Sequence, residues 1–278
     1  MGCTVKTVLG RRRPRSDRGG VERGPSSSVL TTRDSRSDAA STRPSAMSDQ
    51  TSISNQTSRR QFFQHVGGAA GLTALALTGC DSGGGMSGPE TVTFDFSNDF
   101  GVLNYAYALE QLEAAFYAEA AANFYGQSGS IEEQYIQDLA AHEAIHRDFL
   151  AEAIPALGGD LIPNLEVDFS SVDFSSRTDV LGTSKLLEDT GVSAYNGAGI
   201  FLENPDLVGV AGKIVSVEAR HAASVRSLVN PGSDDFAGDD VVDRQSGLDL
   251  ATAPSDVLSN VASTGLVVTP LDVTNVGA

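Results

Sequence analysis

The chain has 278 residues and carries 19 basic against 36 acidic side chains, a formal charge of −17, with two cysteines and no tryptophan. That length allows one or two domains. Two distant thiols, Cys3 and Cys80, exclude a disulfide scaffold and a Cys-ligated zinc or iron–sulfur site. Imidazole chemistry is limited to His65, His142, His146 and His221.

The charge divides at Cys80. Residues 1–79 hold 12 of the basic side chains and 5 of the acidic ones, leaving 7 against 31 for the rest. The acidic part argues against nucleic acid as a partner, because phosphate contacts need a cationic face. The basic part argues for a targeting segment.

Residues 1–57 are rich in Ser, Arg, Thr and Asp, with scarcely any apolar run. Such a stretch cannot bury enough surface to offset chain entropy, so it reads as disordered, and Met47 offers an alternative start. Residues 58–79 read as a signal peptide: a basic start at Arg59-Arg60, a weakly apolar run from Val66 to Gly79, and small residues before Cys80. Fourteen residues fall short of the ~20 that span a bilayer as a helix. The paired arginines before Phe62 resemble a twin-arginine (Tat) signal, and Leu77-Thr78-Gly79-Cys80 resembles a bacterial lipobox. The resemblance implies export by the Tat machinery, cleavage before Cys80 and lipidation of that thiol. The mature protein would then be held at the cell envelope, on the periplasmic side of the inner or outer membrane. Residues 80–97 read as a flexible, Gly/Ser-rich linker.

Helical patterning starts at Asn98 or Asp99. A first helix is expected over Phe100–Asn123, closed by Gly126, with Leu109, Leu112 and Phe116 in one apolar stripe. Tyr107, Glu110, Glu113, Ala114 and Tyr117 share an adjoining face at 3–4 spacing. Ser130 and Glu133 form a capping box for a second helix over Ile131–Ala153, ended by Pro155. Its inward candidates are Tyr135, Leu139, Glu143, His146 and Leu150. Residues 155–177 lack helical period and alternate as extended segments at Val167-Asp168-Phe169 and Val172-Asp173-Phe174. A third helix is expected over Asp179–Leu202, interrupted in pattern by Gly191, Gly197 and Gly199 and stopped by Pro205, and a fourth over Asp206–Leu228. Residues 231–278 read as an irregular extension with one short helix near Pro254–Ala262.

The links between the first and second helices and between the third and fourth are short, so each pair is an antiparallel hairpin. The middle link is long enough to run the ~30 Å of a 20-residue helix. The fold class is therefore all-α, a four-helix bundle over 98–230 with one long crossover.

Two Glu-x-x-His motifs, Glu143-Ala-Ile-His146 and Glu218-Ala-Arg-His221, project a carboxylate and an imidazole from one helix face. Two such motifs plus one Glu from each of the other helices make a di-metal carboxylate centre. Glu110 and Glu188 fill those places, giving six ligands: Glu110, Glu143, His146, Glu188, Glu218 and His221. Tyr107, Tyr117, Tyr195 and His142 could donate to those carboxylates, or could equally serve as core packing.

In Leu103–Tyr117, His142–His146, Glu188–Ala198 and Val217–His221 the sequence resembles the ferritin-like superfamily, and most closely its desiccation-related and stress-protein branch. In that family the first-helix ligand is followed seven residues on by Tyr. The resemblance therefore assigns the ligand role to Glu110, ahead of Tyr117, and leaves Glu113 as an alternative or supporting group. It implies a di-iron or di-manganese cofactor, with oxidation of Fe(II) or removal of peroxide as the chemistry. The rival expectation is a non-enzymatic stress or envelope protein that keeps the bundle for structural reasons. Nitrogen and oxygen ligands do not separate iron from manganese. Neither cage-forming iron storage nor an oligomeric state follows from the sequence.

Overall fold

The computed structural model describes residues 90–277, and the Arg59-Arg60 signal, the Cys80 lipobox and the start of the linker lie outside the described residues. The elements in chain order are β1 (Val92–Asp95), α1 (Asp99–Ala122), α2 (Ile131–Ala156), α3 (Arg177–Ala198), α4 (Pro205–Val229), α5 (Pro254–Thr264) and β2 (Leu271–Thr274). Short 3₁₀ turns follow α3 at Gly199–Phe201 and α4 at Asp235–Ala237. Among the described residues no helix is long and apolar enough to cross a membrane.

Each bundle helix starts on a side-chain cap that satisfies otherwise orphaned N–H groups. Asn98 accepts from Phe100 and Gly101, Ser130 from Glu133, Ser176 from Asp179 and Asn204 from Asp206. The capping box at Ser130 is only half made, because the Glu133 carboxylate turns back to the Gly129 N–H. Pro155 does not end α2: its missing N–H costs one bond in the last turn, and the helix runs on to Ala156. Pro205 opens α4 rather than stopping α3, in the first turn where no N–H is needed.

Polar contacts at the helix ends set the topology. Asn104, near the start of α1, donates to the Asp160 carbonyl just beyond α2, so these two helices run antiparallel. Arg177 at the start of α3 pairs with Glu132 at the start of α2 and donates to the Leu228 carbonyl at the end of α4. Helices α2 and α3 are therefore parallel and α3 and α4 antiparallel, the one-crossover arrangement. The crossover, residues 157–176, is pinned along α1 by two amides seven residues apart. Asn104 accepts from Ile162 N–H, and Gln111 accepts from Leu165 N–H at 2.8 Å. Phe169 and Phe174 then close over Phe116.

Two extended features differ from the sequence reading. Val92–Asp95, within the stretch read as linker, pairs in parallel with Leu271–Thr274, within the extension read as irregular. In the crossover only Val167 makes a bridge, to Val267, and Val172–Phe174 form no strand. The ribbon packs Phe94 and Phe96 edge-on against Tyr105. Gly101 permits this, because a Cβ there would lie 1.8 Å from the Asp95 carbonyl oxygen. With ribbon, crossover and extension laid around it, α1 is buried on almost every side from Gly101 to Ala114. Tyr135, expected to point inward, is instead 41 % exposed.

Candidate metal centre

Glu143 and His146 on α2 lie three residues apart on one face, and Glu218 and His221 repeat the pattern on α4. Helices α1 and α3 bring Glu110 and Glu188 to the same level. All four carboxylates are 0 % exposed and both imidazoles are buried. The structure thus brings all six sequence-selected side chains together, and it arranges them as two sets. His146 Nδ1 stands 2.7 Å from Glu218 Oε1, 3.3 Å from Glu143 Oε2 and 3.5 Å from Glu110 Oε2. His221 Nδ1 stands 2.8 Å from Glu143 Oε1, 3.5 Å from Glu188 Oε2 and 3.6 Å from Glu218 Oε2. Within each set the donor atoms lie within 4.8 Å of one another. Glu143 and Glu218 give one oxygen to each set, as bridging carboxylates do, while Glu110 and Glu188 serve one set each.

The surrounding polar groups fix the terminal carboxylates. Tyr195 donates to Glu110 Oε1 at 2.5 Å and Tyr117 donates to Glu188 Oε1 at 2.6 Å, leaving each Oε2 turned to its set. The pairing is crossed: the tyrosine seven residues after Glu110 serves Glu188, and the one seven after Glu188 serves Glu110. Sequence reading found these tyrosines but not the exchange, which depends on α1 and α3 lying side by side. His142 is exposed and its Nδ1 lies 2.9 Å from His221 Nε2, with the two rings stacked at 9°. Tyr107, also considered as a donor, is buried near the charges of Arg147 and Asp148 and bonds none of the six. Glu113 is buried but joins neither set. It packs against Gly191 on α3, where a Cβ would come within 3.0 Å of its Oε1.

The donor set fits a pair of cations. Glu110 Oε2, Glu143 Oε1, Glu188 Oε2, both oxygens of Glu218 and His221 Nδ1 are buried without a hydrogen bond. Several of these atoms are less than 3 Å from a neighbour, so what fails is alignment: they converge on shared points instead of on each other. Orphaned buried polar atoms are costly, and a native site that collects six of them is built for a guest. Four carboxylate charges offset two divalent ions, and all donors are oxygen or imidazole nitrogen, the chemistry of iron and manganese.

The buried acids and imidazoles strongly shift one another's proton affinity. Burial, then the Glu218 charge, raises the Glu110 carboxyl well above its ordinary range, and burial pushes Glu188 up to about 8. Burial opposes charge on His146 and His221 too, but the carboxylates crowded against each Nδ1 outweigh it and push both up to about 12. Against its own burial, Glu143 is held down at about 2 by the same two imidazoles.

The centre is walled by apolar packing at both ends. On the α1 N-terminal side it meets Leu103, Leu150, Ile154 and Ile214, and on the other side Leu112, Phe116, Ile136 and Val225. The side wall between α2 and α4 holds a surface depression lined by Tyr135, His142, His146, Val217, Arg220 and His221. There both ligand imidazoles come to the edge of solvent. Residues 98–231 match the sequence model of the ferritin-like domain family, and the chain carries a domain of the ferritin-like superfamily. No curated protein matches the chain.

Proposed function

We propose that this ferritin-like protein binds a pair of iron or manganese ions and serves in protection from oxidative or desiccation stress, through metal oxidation or peroxide removal. The observation that carries the reading is the double set of converging donors in which Glu143 and Glu218 are shared. When bound, such a pair supplies one-electron steps at neighbouring ions, the chemistry of oxidising Fe(II) with O₂ or peroxide and of removing peroxide.

The chain's own side chains do the rest. Glu143 and Glu218 set the span between the two positions. Tyr195 and Tyr117 lock one oxygen of Glu110 and of Glu188 and so aim the other. The aliphatic and aromatic walls exclude water, which strengthens every charge interaction within them. The depression between α2 and α4, lined by His142, His146 and His221, is the side from which a small oxidant would approach the site. Arg59-Arg60 and Leu77–Cys80 support delivery to the cell envelope through the Tat machinery, with a lipid on Cys80 as the membrane contact.

Elemental analysis of protein from a Tat-competent host tests the metal reading. About two ions per chain are expected, falling to none in Glu143→Ala, which removes a donor from both sets. Fewer than one tightly bound ion, with no further loss in the variant, refutes it. Cys80→Ser should move the protein from the membrane fraction to the soluble one, and an unchanged distribution would refute the anchor.

A further inference from the structure

The two halves of the centre are near-copies. Glu110 and Tyr117 on α1 answer to Glu188 and Tyr195 on α3, and Glu143 and His146 on α2 answer to Glu218 and His221 on α4. The halves match through the six donors and the two crossed tyrosines. Outside those, the copy fails on α2 and α4 at the residue preceding the shared glutamate: His142 on α2, Val217 on α4. His142 meets His221 Nε2 at 2.9 Å. Val217 lines the same depression beside His146 but has no polar atom to offer, and among the described residues nothing hydrogen-bonds His146 Nε2.

We propose that His142 is a positioning residue that makes the two ion positions unequal, so that the set of Glu143, Glu188, Glu218 and His221 binds the tighter ion. The inference rests on the two-ion reading above. An imidazole that gives Nδ1 to a metal keeps its proton on Nε2, so His221 donates there and His142 Nδ1 accepts. The contact fixes the tautomer, holds the ring plane and makes Nδ1 a better donor, effects that commonly amount to 10–100-fold in affinity. His146 has no such support, so its set is the looser, exchangeable one. A further break in the copy, Glu113 opposite Gly191, does not decide the order, because Glu113 joins neither set.

Titration of metal-free protein with Co(II), followed by visible absorption and calorimetry, reads both binding steps. The wild type should bind two ions with distinct affinities. His142→Leu should weaken one step by about 10–100-fold and leave the other in place. His142→Asn, whose side-chain carbonyl can accept from Nε2–H, should restore it. Val217→Asn should tighten the looser step and bring the two together. His142 is a surface residue, and equal thermal unfolding of the metal-free variants separates positioning from folding. Two binding constants unchanged in His142→Leu, or both weakened equally, would overturn this inference and leave the two-ion reading intact. A wild type that binds no pair of Co(II) ions overturns both.

Discussion

Helix α4 carries two clusters of buried charge about two turns apart, and they are built on opposite plans. At Arg226, 3 % exposed, the guanidinium grips both oxygens of Asp189 at 2.7 and 2.8 Å and both of Asp240 at 3.0 and 2.8 Å, and donates to the Asp235 carbonyl. At Glu218 and His221 four carboxylates crowd two imidazoles, and six donor atoms are left without a hydrogen bond. The Arg226 cluster is complete in itself and fastens the 3₁₀ turn and extension to the bundle. The Glu218 cluster is complete only with something added. Satisfied and unsatisfied hydrogen bonding, more than burial or charge, separate a structural network from a binding site.

The contrast can be broken most decisively at Glu143. Glu143→Ala should abolish the metal-dependent rise in thermal stability, while Arg226→Leu should leave that rise intact. For the wild type at a thousandfold excess of ion over Kd the rise corresponds to about 4 kcal/mol for each ion bound. Calorimetry with and without chelator distinguishes the two.

Arg226→Leu should itself cost about 1.5–3 kcal/mol in metal-free and loaded protein alike, because the 3₁₀ turn and extension lose their charged hydrogen bonds to the bundle. Denaturant titration measures it, and a loss seen only in loaded protein would contradict the division between the clusters.

The pH response sharpens the comparison further. Glu188 rises from 4.5 to about 8 on folding, so the metal-free fold binds a proton that the unfolded chain releases, and stability falls as pH climbs through that interval. His146 and His221, raised from 6.5 to about 12, act in the same direction above pH 6.5. Glu143, held at about 2, loses its contribution only below about pH 4.5 and stays outside this window. Metal-free protein should therefore lose stability from pH 5 to 8. Loaded protein should gain over the same range, as fewer protons compete with the ions. Parallel slopes in denaturant titrations would show that the protons and the metal do not share these donors.

The smallest effect belongs to the tyrosines. Tyr117→Phe and Tyr195→Phe each remove one hydrogen bond to a terminal carboxylate and should weaken metal binding by about tenfold. Tyr117→Phe should act on the Glu188 set and Tyr195→Phe on the Glu110 set, as Co(II) titration can resolve.

Much of this was legible in the sequence because helical period and motif spacing act locally. Glu143-x-x-His146 and Glu218-x-x-His221 announce their shared face at 3–4 spacing, and the crossover follows from link length. What escaped reading depends on distant segments meeting. The Val92–Asp95 strand is called into being by Leu271–Thr274, nearly 180 residues away, and has too little local pattern to declare itself. Tyr135 sits on the inward period of α2, yet it faces the open side wall where α4 offers no cover. The glycines of α3 read as interruptions of its pattern or as places of close approach, but what approaches was not legible: Gly191 admits Glu113 and Gly197 the Thr252 carbonyl. Arg226 looks like an ordinary last-turn cation until Asp240 folds back onto it.

The parallel ribbon joins the first described strand to the last. Val92 and Leu271 are far apart in the chain, yet their pairing is what seats Phe94 and Phe96 edge-on against Tyr105. Removing Leu271–Thr274 would leave Val92–Asp95 without its partner strand and strip Phe94 and Phe96 of the ribbon that holds them on Tyr105.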